Sequence, residues 1–237
     1  MRNLMMKLLI EDIETIDLDA DRPLMDIVHR YQDKHETPIV LARANNRLVD
    51  LWYKPVRDTR IEFLDVGTLD GIKSYRHSLV FLLLRAFKEL FPHVRLLVAH
   101  SLGRAFYICP KNGDEITDYM LTQVRSRMLE LSELDEPFVR TKINREDAIK
   151  EMENAGLDDK VRLLKWMDPE NVHMYTYGPC KEYFFRPLVP STGVLTKFLL
   201  EKYHSGFLLG TPSHSTPTSI TKVTSYNKLF QIFQEYE

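Results

Sequence analysis

Ser74-Tyr75-Arg76-His77-Ser78-Leu79-Val80-Phe81-Leu82-Leu83-Leu84-Arg85-Ala86-Phe87-Lys88-Glu89-Leu90-Phe91-Pro92 is the stretch on which the fold turns. Its apolar residues at 79 to 84, 86, 87, 90 and 91 wrap most of a helical circumference, the profile of a helix buried on several sides. Pro92, which cannot continue a helix, closes it. Such a helix needs sheets to bury it, and the flanking sequence supplies them. Immediately before it, Thr68 to Lys73, with Gly67 and Gly71, reads as a joint between two units.

Upstream of that joint, Met6 to Ile10 and Thr15 to Leu18 are apolar runs split by acidic Glu11 to Glu14, a hairpin pattern. Pro23 then suits a first helical turn, with Leu24, Ile27, Val28 and Tyr31 following at helical spacing. Ile39 to Leu41, an Asn45-Asn46 turn, Leu48-Val49, a break at Pro55 and the strand-like Arg60 to Leu64 complete the unit. Two strands, a helix and more strands in this short span imply a β-grasp domain over residues 1–67. Downstream, Leu96 to Val98 and Ala105 to Ile108 read as strands, with a turn at Asn112-Gly113. Ile116, Met120, Val124, Met128 and Leu131 mark a long amphipathic helix ending before Pro137. Val139 to Ile143 is strand-like, Asn144 is suited to cap a further helix, and Gly156 suits its left-handed stop. From Val161 to Leu209 short apolar and aromatic runs alternate with turns at Gly178-Pro179, Pro190 to Gly193 and Ser205-Gly206. Strands and helices are segregated rather than alternating, so the class is α+β, with an antiparallel sheet against the long buried helix. Tyr175, Tyr177, Tyr183, Phe184 and Phe185 form an aromatic stripe read as core strand. Ser213 to Thr221 reads as linker, and an apolar helical pattern from Tyr226 through Phe233 is still in progress at Glu237. A helix stopped in stride implies a fragment of a longer protein.

Bulk composition narrows the classes. A chain of 237 residues with 44% hydrophobic and 28% charged content is ordinary for a soluble globular protein. No apolar run approaches the roughly 20 residues of a membrane helix. Met5 to Ile10 is too short for a signal core, is interrupted by Lys7 and is followed by acids, so cytoplasmic location is expected. Lys plus Arg number 32 against 34 for Asp plus Glu, and the net charge of -2 argues against a dedicated nucleic-acid binder. Cys109 and Cys180 give neither a disulfide framework nor a metal site and read as buried reduced thiols. No P-loop motif occurs.

Arg76-His77-Ser78 and the closing Leu90-Phe91-Pro92 resemble the opening helix of the threonyl-tRNA synthetase editing domain, written R-H-S-x-x-H and then L-F-P or L-W-P in that family. Ala105-Phe106-Tyr107 lines up with its G-F-Y, Asp159-Lys160-Val161 with its Y-K-V, and Phe184 to Pro190 with its C-R-G-P-H-V-P. The preceding unit and Leu69-Asp70-Gly71 resemble the family's TGS domain and its exit. The likeness runs from the first strand to Gly210, and its weight lies in the order and spacing of these motifs. It implies a TGS-like domain at 1–67, an editing-like (second additional) domain at 68–212, and a linker with the start of a truncated helix at 213–237.

Departures from the pattern carry the functional reading. The family sets a His pair, four apart on one helix face, against a Cys and a His four apart on another segment, a geometry for a shared ion or a polarised water. Here His77 remains, whereas the other three positions hold Phe81, Phe184 and Leu188. Cys180 does not rescue the pair, since Phe184 stands four residues later. One ligand of four cannot hold zinc, so no metal and no catalytic residue is expected. Lys160 matches the lysine that the resemblance places at the substrate end of the cleft, and Glu182 replaces an aspartate. His77, Lys160 and Glu182 are therefore ligand-binding candidates above a floor of Phe81 and Phe184, suited to a planar polar molecule such as a nucleoside or nucleotide. The reading the sequence favours between the two is nonetheless a filled groove, in which the apolar trio closes a void that would otherwise cost several kcal/mol and Lys160 is solvated.

Other candidates are weaker. His93, His100, His173, His204 and His214 show no metal spacing, and the hydroxyls beside His214 lack a partner acid. Tyr183-Phe184-Phe185, Val189 to Gly193 and Lys228-Leu229-Phe230 resemble most closely the version of these modules that precedes a uridine kinase-like P-loop domain. That version implies an accessory or regulatory module of a nucleoside kinase, with ATP and Mg bound by a C-terminal kinase domain absent from this chain. The alternatives are a synthetase-type editing deacylase and an RNA-binding module with a degenerate site. Expected partners are accordingly a nucleoside or nucleotide, RNA, or the kinase domain, and no membrane.

Overall fold

The computed structural model describes residues 5–220. Strands β1 (Met5–Ile10) and β2 (Glu14–Asp19) form the expected hairpin, with Glu11 and Asp12 at positive φ in its turn. β3 (Ile39–Ala44) and β4 (Arg47–Asp50) form a second hairpin about Asn45 and Asn46, both at positive φ, a conformation these side chains tolerate well. β5 (Thr59–Asp65) enters between the hairpins, parallel to β1 and antiparallel to β3, giving the order β2-β1-β5-β3-β4. Leu8, Ile10, Ile61 and Phe63 pack against Leu24, Ile27, Val28 and Tyr31 on one face of this sheet. The helix expected after Pro23 is a single turn, α1 (Met25–Val28), followed by a 3-10 turn at Gln32–Lys34.

Helix α2 (Leu69–Leu90) begins earlier than its apolar run announces. The Thr68 hydroxyl accepts from the Gly71 amide at 3.0 Å, so the segment read as a joint is the capped first turn of the helix. Only glycine fits at 71, because a Cβ there would lie 1.9 Å from the Asp65 carbonyl oxygen. Val40, Leu41, Leu64 and Val66, on the second face of the five-stranded sheet, join α2 in the largest core cluster. Burial of α2 on several sides, inferred from its composition, is what the structure shows.

The remaining chain is α+β as expected, but it builds two antiparallel sheets rather than one. β6 (Leu96–Leu102) and β7 (Ala105–Pro110) pair with β12 (Gly206–Gly210) and β11 (Leu199–Tyr203) in the order β11-β12-β7-β6. β8 (Val139–Asn144), β9 (Asn171–Tyr177) and β10 (Cys180–Tyr183) form the other, β10-β9-β8. α3 (Asp118–Glu133) packs its Leu121, Val124, Met128 and Leu131 into the α2 core. α4 (Arg145–Asn154) starts at Asn144, whose side chain accepts from the Glu146 amide, and stops before Gly156 at positive φ. α5 (Asp158–Lys165) was not anticipated: it is short, and its buried Val161 and Leu164 look like part of an irregular run.

Two further readings are corrected. The aromatic stripe splits: Tyr175, Tyr177 and Tyr183 are core, Phe184 is half-buried, and Phe185, beyond the end of β10, is 71% exposed. Cys180 is buried, but Cys109 is half-buried, and neither forms a disulfide. The helical pattern beginning at Tyr226 lies outside the described residues. No helix among the described residues is long and apolar enough to cross a membrane.

Candidate functional site

Spacing of four on α2 puts His77 and Phe81 on one helix face, and Phe184, just past β10, lies against both. The ring centroids of Phe81 and Phe184 are 5.3 Å apart, and those of His77 and Phe184 6.3 Å. Phe81 is fully buried and also meets Phe138 at 5.7 Å and Tyr177 at 5.9 Å. Leu188 is likewise fully buried, its amide donating to the Tyr175 hydroxyl at 3.3 Å. Phe81 and Leu188 therefore stand in the core, where imidazoles would be stripped of water.

Lys160, on α5, turns inward rather than to solvent. Its Nζ lies 3.7 Å from the Glu182 carboxylate and 5.8 Å from the Phe184 ring centre. Glu182 is buried on β10, and its Oε1 accepts from the Tyr183 amide at 2.9 Å. Burial pushes the Glu182 carboxyl above its ordinary range, while Lys160 and that amide pull it back. Phe81, Lys160, Glu182 and Phe184 border one cavity of about 400 Å³ between α2, β6, residues 155–160 and β10. His77 is not among its walls. It touches the Phe184 ring without lining the cavity, so the five candidates divide four and one. The groove is neither an open cleft reached by all three polar groups nor one closed with Lys160 solvated.

Beside Phe184, His77 sits in aromatic company. Phe106 of β7 stacks on it at 6.4 Å with 14° between ring planes, and Phe185 meets it edge-on at 6.0 Å. The Arg76 guanidinium lies 5.1 Å from the Phe106 ring centre and that of Arg186 5.4 Å from the Phe185 centre. Arg186 is anchored by Asp70 at 3.1 Å, Arg76 by the Gly103 carbonyl at 3.0 Å. Burial, reinforced by Arg186, Lys160 and Arg76, holds the His77 imidazole down at about 4, so it is neutral at neutral pH. Its Nδ1 is buried without a hydrogen-bond partner. Sequence reasoning missed this Arg–aromatic surface. Arg76 and Phe106 stood inside the quoted motifs, but β9, β10 and the turn after them are needed to bring Phe185 and Arg186 beside them.

Among the described residues no three His, Cys, Asp or Glu side chains gather where a metal ion would be held. The Ser213 hydroxyl meets Ser215 at 3.0 Å and Thr216 at 2.8 Å, a local turn rather than a nucleophile.

The chain has relatives among curated proteins. No family model matches the chain. It is 30% identical over 174 residues to the threonine–tRNA ligase of Marinobacter nauticus, covering 73% of this chain and 27% of that one. Against the threonine–tRNA ligase of Symbiobacterium thermophilum the identity is 31% over 160 residues, 67% of this chain and 25% of that one. With that of Ehrlichia chaffeensis it is 26% over 186 residues, 78% and 29% of the two chains. The chain spans less than a third of the length of these curated relatives. It contains a threonyl-tRNA synthetase-like region. The similarity favours the synthetase-type reading over a kinase accessory module, and these relatives lend no support to a kinase domain.

Proposed function

We propose that the chain is a synthetase-type module, TGS-like at 1–67 and editing-like at 68–212, that binds the unpaired end of an acceptor RNA without hydrolysing it. The observation that carries this reading is the surface of His77, Phe106, Phe184 and Phe185 flanked by Arg76 and Arg186. Unpaired bases bind proteins by stacking on aromatic rings and guanidinium planes, at about 1–3 kcal/mol per base. A neutral imidazole stacks as a plain ring, without the charge repulsion that a protonated one would bring beside two arginines. Similarity to threonine–tRNA ligases supports RNA as the partner class. Hydrolysis needs a polarised water and stabilisation of an oxyanion, each worth about 10²- to 10⁴-fold, and the residues the family pattern assigns to them are Phe81, Phe184 and Leu188 here.

Binding is tested by fluorescence anisotropy with a tRNA acceptor-stem minihelix that has, or lacks, its unpaired 3′ end. Loss of that end, or Phe185→Ala, is expected to weaken binding about tenfold or more. Equal binding of blunt and tailed minihelices would remove the stacking surface from the account.

A further inference from the structure

The cavity borders the His77 surface, sharing Phe184 with it, but is lined by residues that surface does not use. Its walls pair an apolar side, with Leu84 and Phe87 of α2, Val94, Leu96 and Leu157, with a charged one. Its volume of about 400 Å³ is within the range of small-molecule pockets. Around the rim, charge is unbalanced. Five cationic side chains line the cavity, Lys88, Arg95, Lys111, Lys160 and Lys181, against the acids Asp159 and Glu182.

Three of the five are already neutralised. Lys111 meets Asp159 at 3.0 Å, Lys160 meets Glu182 at 3.7 Å, and Lys181 meets Glu151 at 2.6 Å. Lys88 donates only to the Pro179 carbonyl at 2.7 Å, and among the described residues neither it nor Arg95 reaches a carboxylate. Arg95 reaches the rim beside the end of α4. A Cβ on Gly156 would come 2.8 Å from its Nη1, so the glycine, at positive φ where α4 ends, leaves room for the guanidinium to approach the chain there. Apolar walls reward burial of an apolar body, at about 25 cal/mol per Å² removed from water. Two cations without a carboxylate partner at the mouth reward an anion, which a guanidinium can take in two parallel hydrogen bonds.

We infer that this cavity binds a small amphipathic anion, an apolar or aromatic body carrying a carboxylate or phosphate, with the body against α2 and the anion at Lys88 and Arg95. The inference does not depend on RNA binding at the His77 surface, because Lys88 and Arg95, which would hold the anion, lie outside that surface.

The test uses 1-naphthyl phosphate as the probe, titrated by calorimetry into the full chain, with 1-naphthol and inorganic phosphate as controls. The phosphate ester should bind about tenfold or more tightly than either control. Arg95→Glu and Lys88→Glu, both at exposed positions, should each weaken it by about fivefold or more. Leu84→Trp should abolish binding by filling the cavity. In all three variants the tailed minihelix should bind as in the parent chain. Naphthol binding as tightly as its phosphate would overturn the anionic part of the proposal. Affinity for the ester unchanged in both charge variants would overturn the site, and those variants decide the matter even if Leu84→Trp does not fold.

Discussion

Replacing Phe81 by alanine asks directly whether a side chain at a family ligand position has become core. The ring is fully buried, with Phe138, Tyr177 and Phe184 at 5.7, 5.9 and 5.3 Å. Buried Phe→Ala substitutions cost about 3–5 kcal/mol, combining lost transfer energy with an unfilled void. Phe81 also borders the cavity, so Phe184 has room to relax into the space, which favours the lower end, about 3 kcal/mol. That is about a hundredfold in the folding equilibrium. With a urea dependence of about 2–3 kcal/mol per molar, the unfolding midpoint should fall by about 1 M with little change in slope. Phe81→Leu, which keeps most of the volume, should lose less than half as much. A loss below about 1 kcal/mol for Phe81→Ala would refute the claim that this ring fills the place of a lost ligand.

Other predictions rest on two ionisable groups of the site, half-buried His77 and buried Glu182. His77 is held at about 4 against an ordinary 6.5, so as pH falls through 6.5 the unfolded chain takes up a proton that the folded chain refuses. Its contribution to stability is complete above pH 6.5 and declines toward about 4, by on the order of 1–2 kcal/mol after solvent screening. His77→Phe should flatten the fall of the melting temperature over this range, and the imidazole should titrate near 4 by NMR; titration near 6.5 would contradict its placement. Glu182 has the opposite sign: burial raises its carboxyl, so ionising it at neutral pH works against folding. Glu182→Gln keeps an oxygen for the Tyr183 amide and should leave stability at pH 7 within about 1 kcal/mol, or raise it; a loss of 3 kcal/mol or more would mean that the Lys160 pair is strongly stabilising.

Much of the architecture was legible because it is written in local chemistry. The Asn45-Asn46 turn, the Asn144 cap and the Gly156 stop are each decided by one or two residues, and the structure has all three. The start of α2 was misplaced because glycine at 71 normally marks a loop; here it is forced by the Asp65 carbonyl, a tertiary contact. One long sheet and two short ones have the same strand pattern in sequence, so the split into two sheets was not readable. At the site, Phe81, Lys160, Glu182 and Phe184, which the alignment of spacings groups together, border one cavity. What the alignment lacked was which side of Phe184 each would line, which is why His77 was grouped with a cavity it does not line.

The most direct test of the account is a single-turnover assay with a mischarged threonine-accepting tRNA and excess protein. Association and ester cleavage are followed in the same samples. The account predicts that the tRNA binds through its 3′ end and that its ester decays no faster than in buffer. Rapid deacylation that disappears in His77→Ala would contradict it.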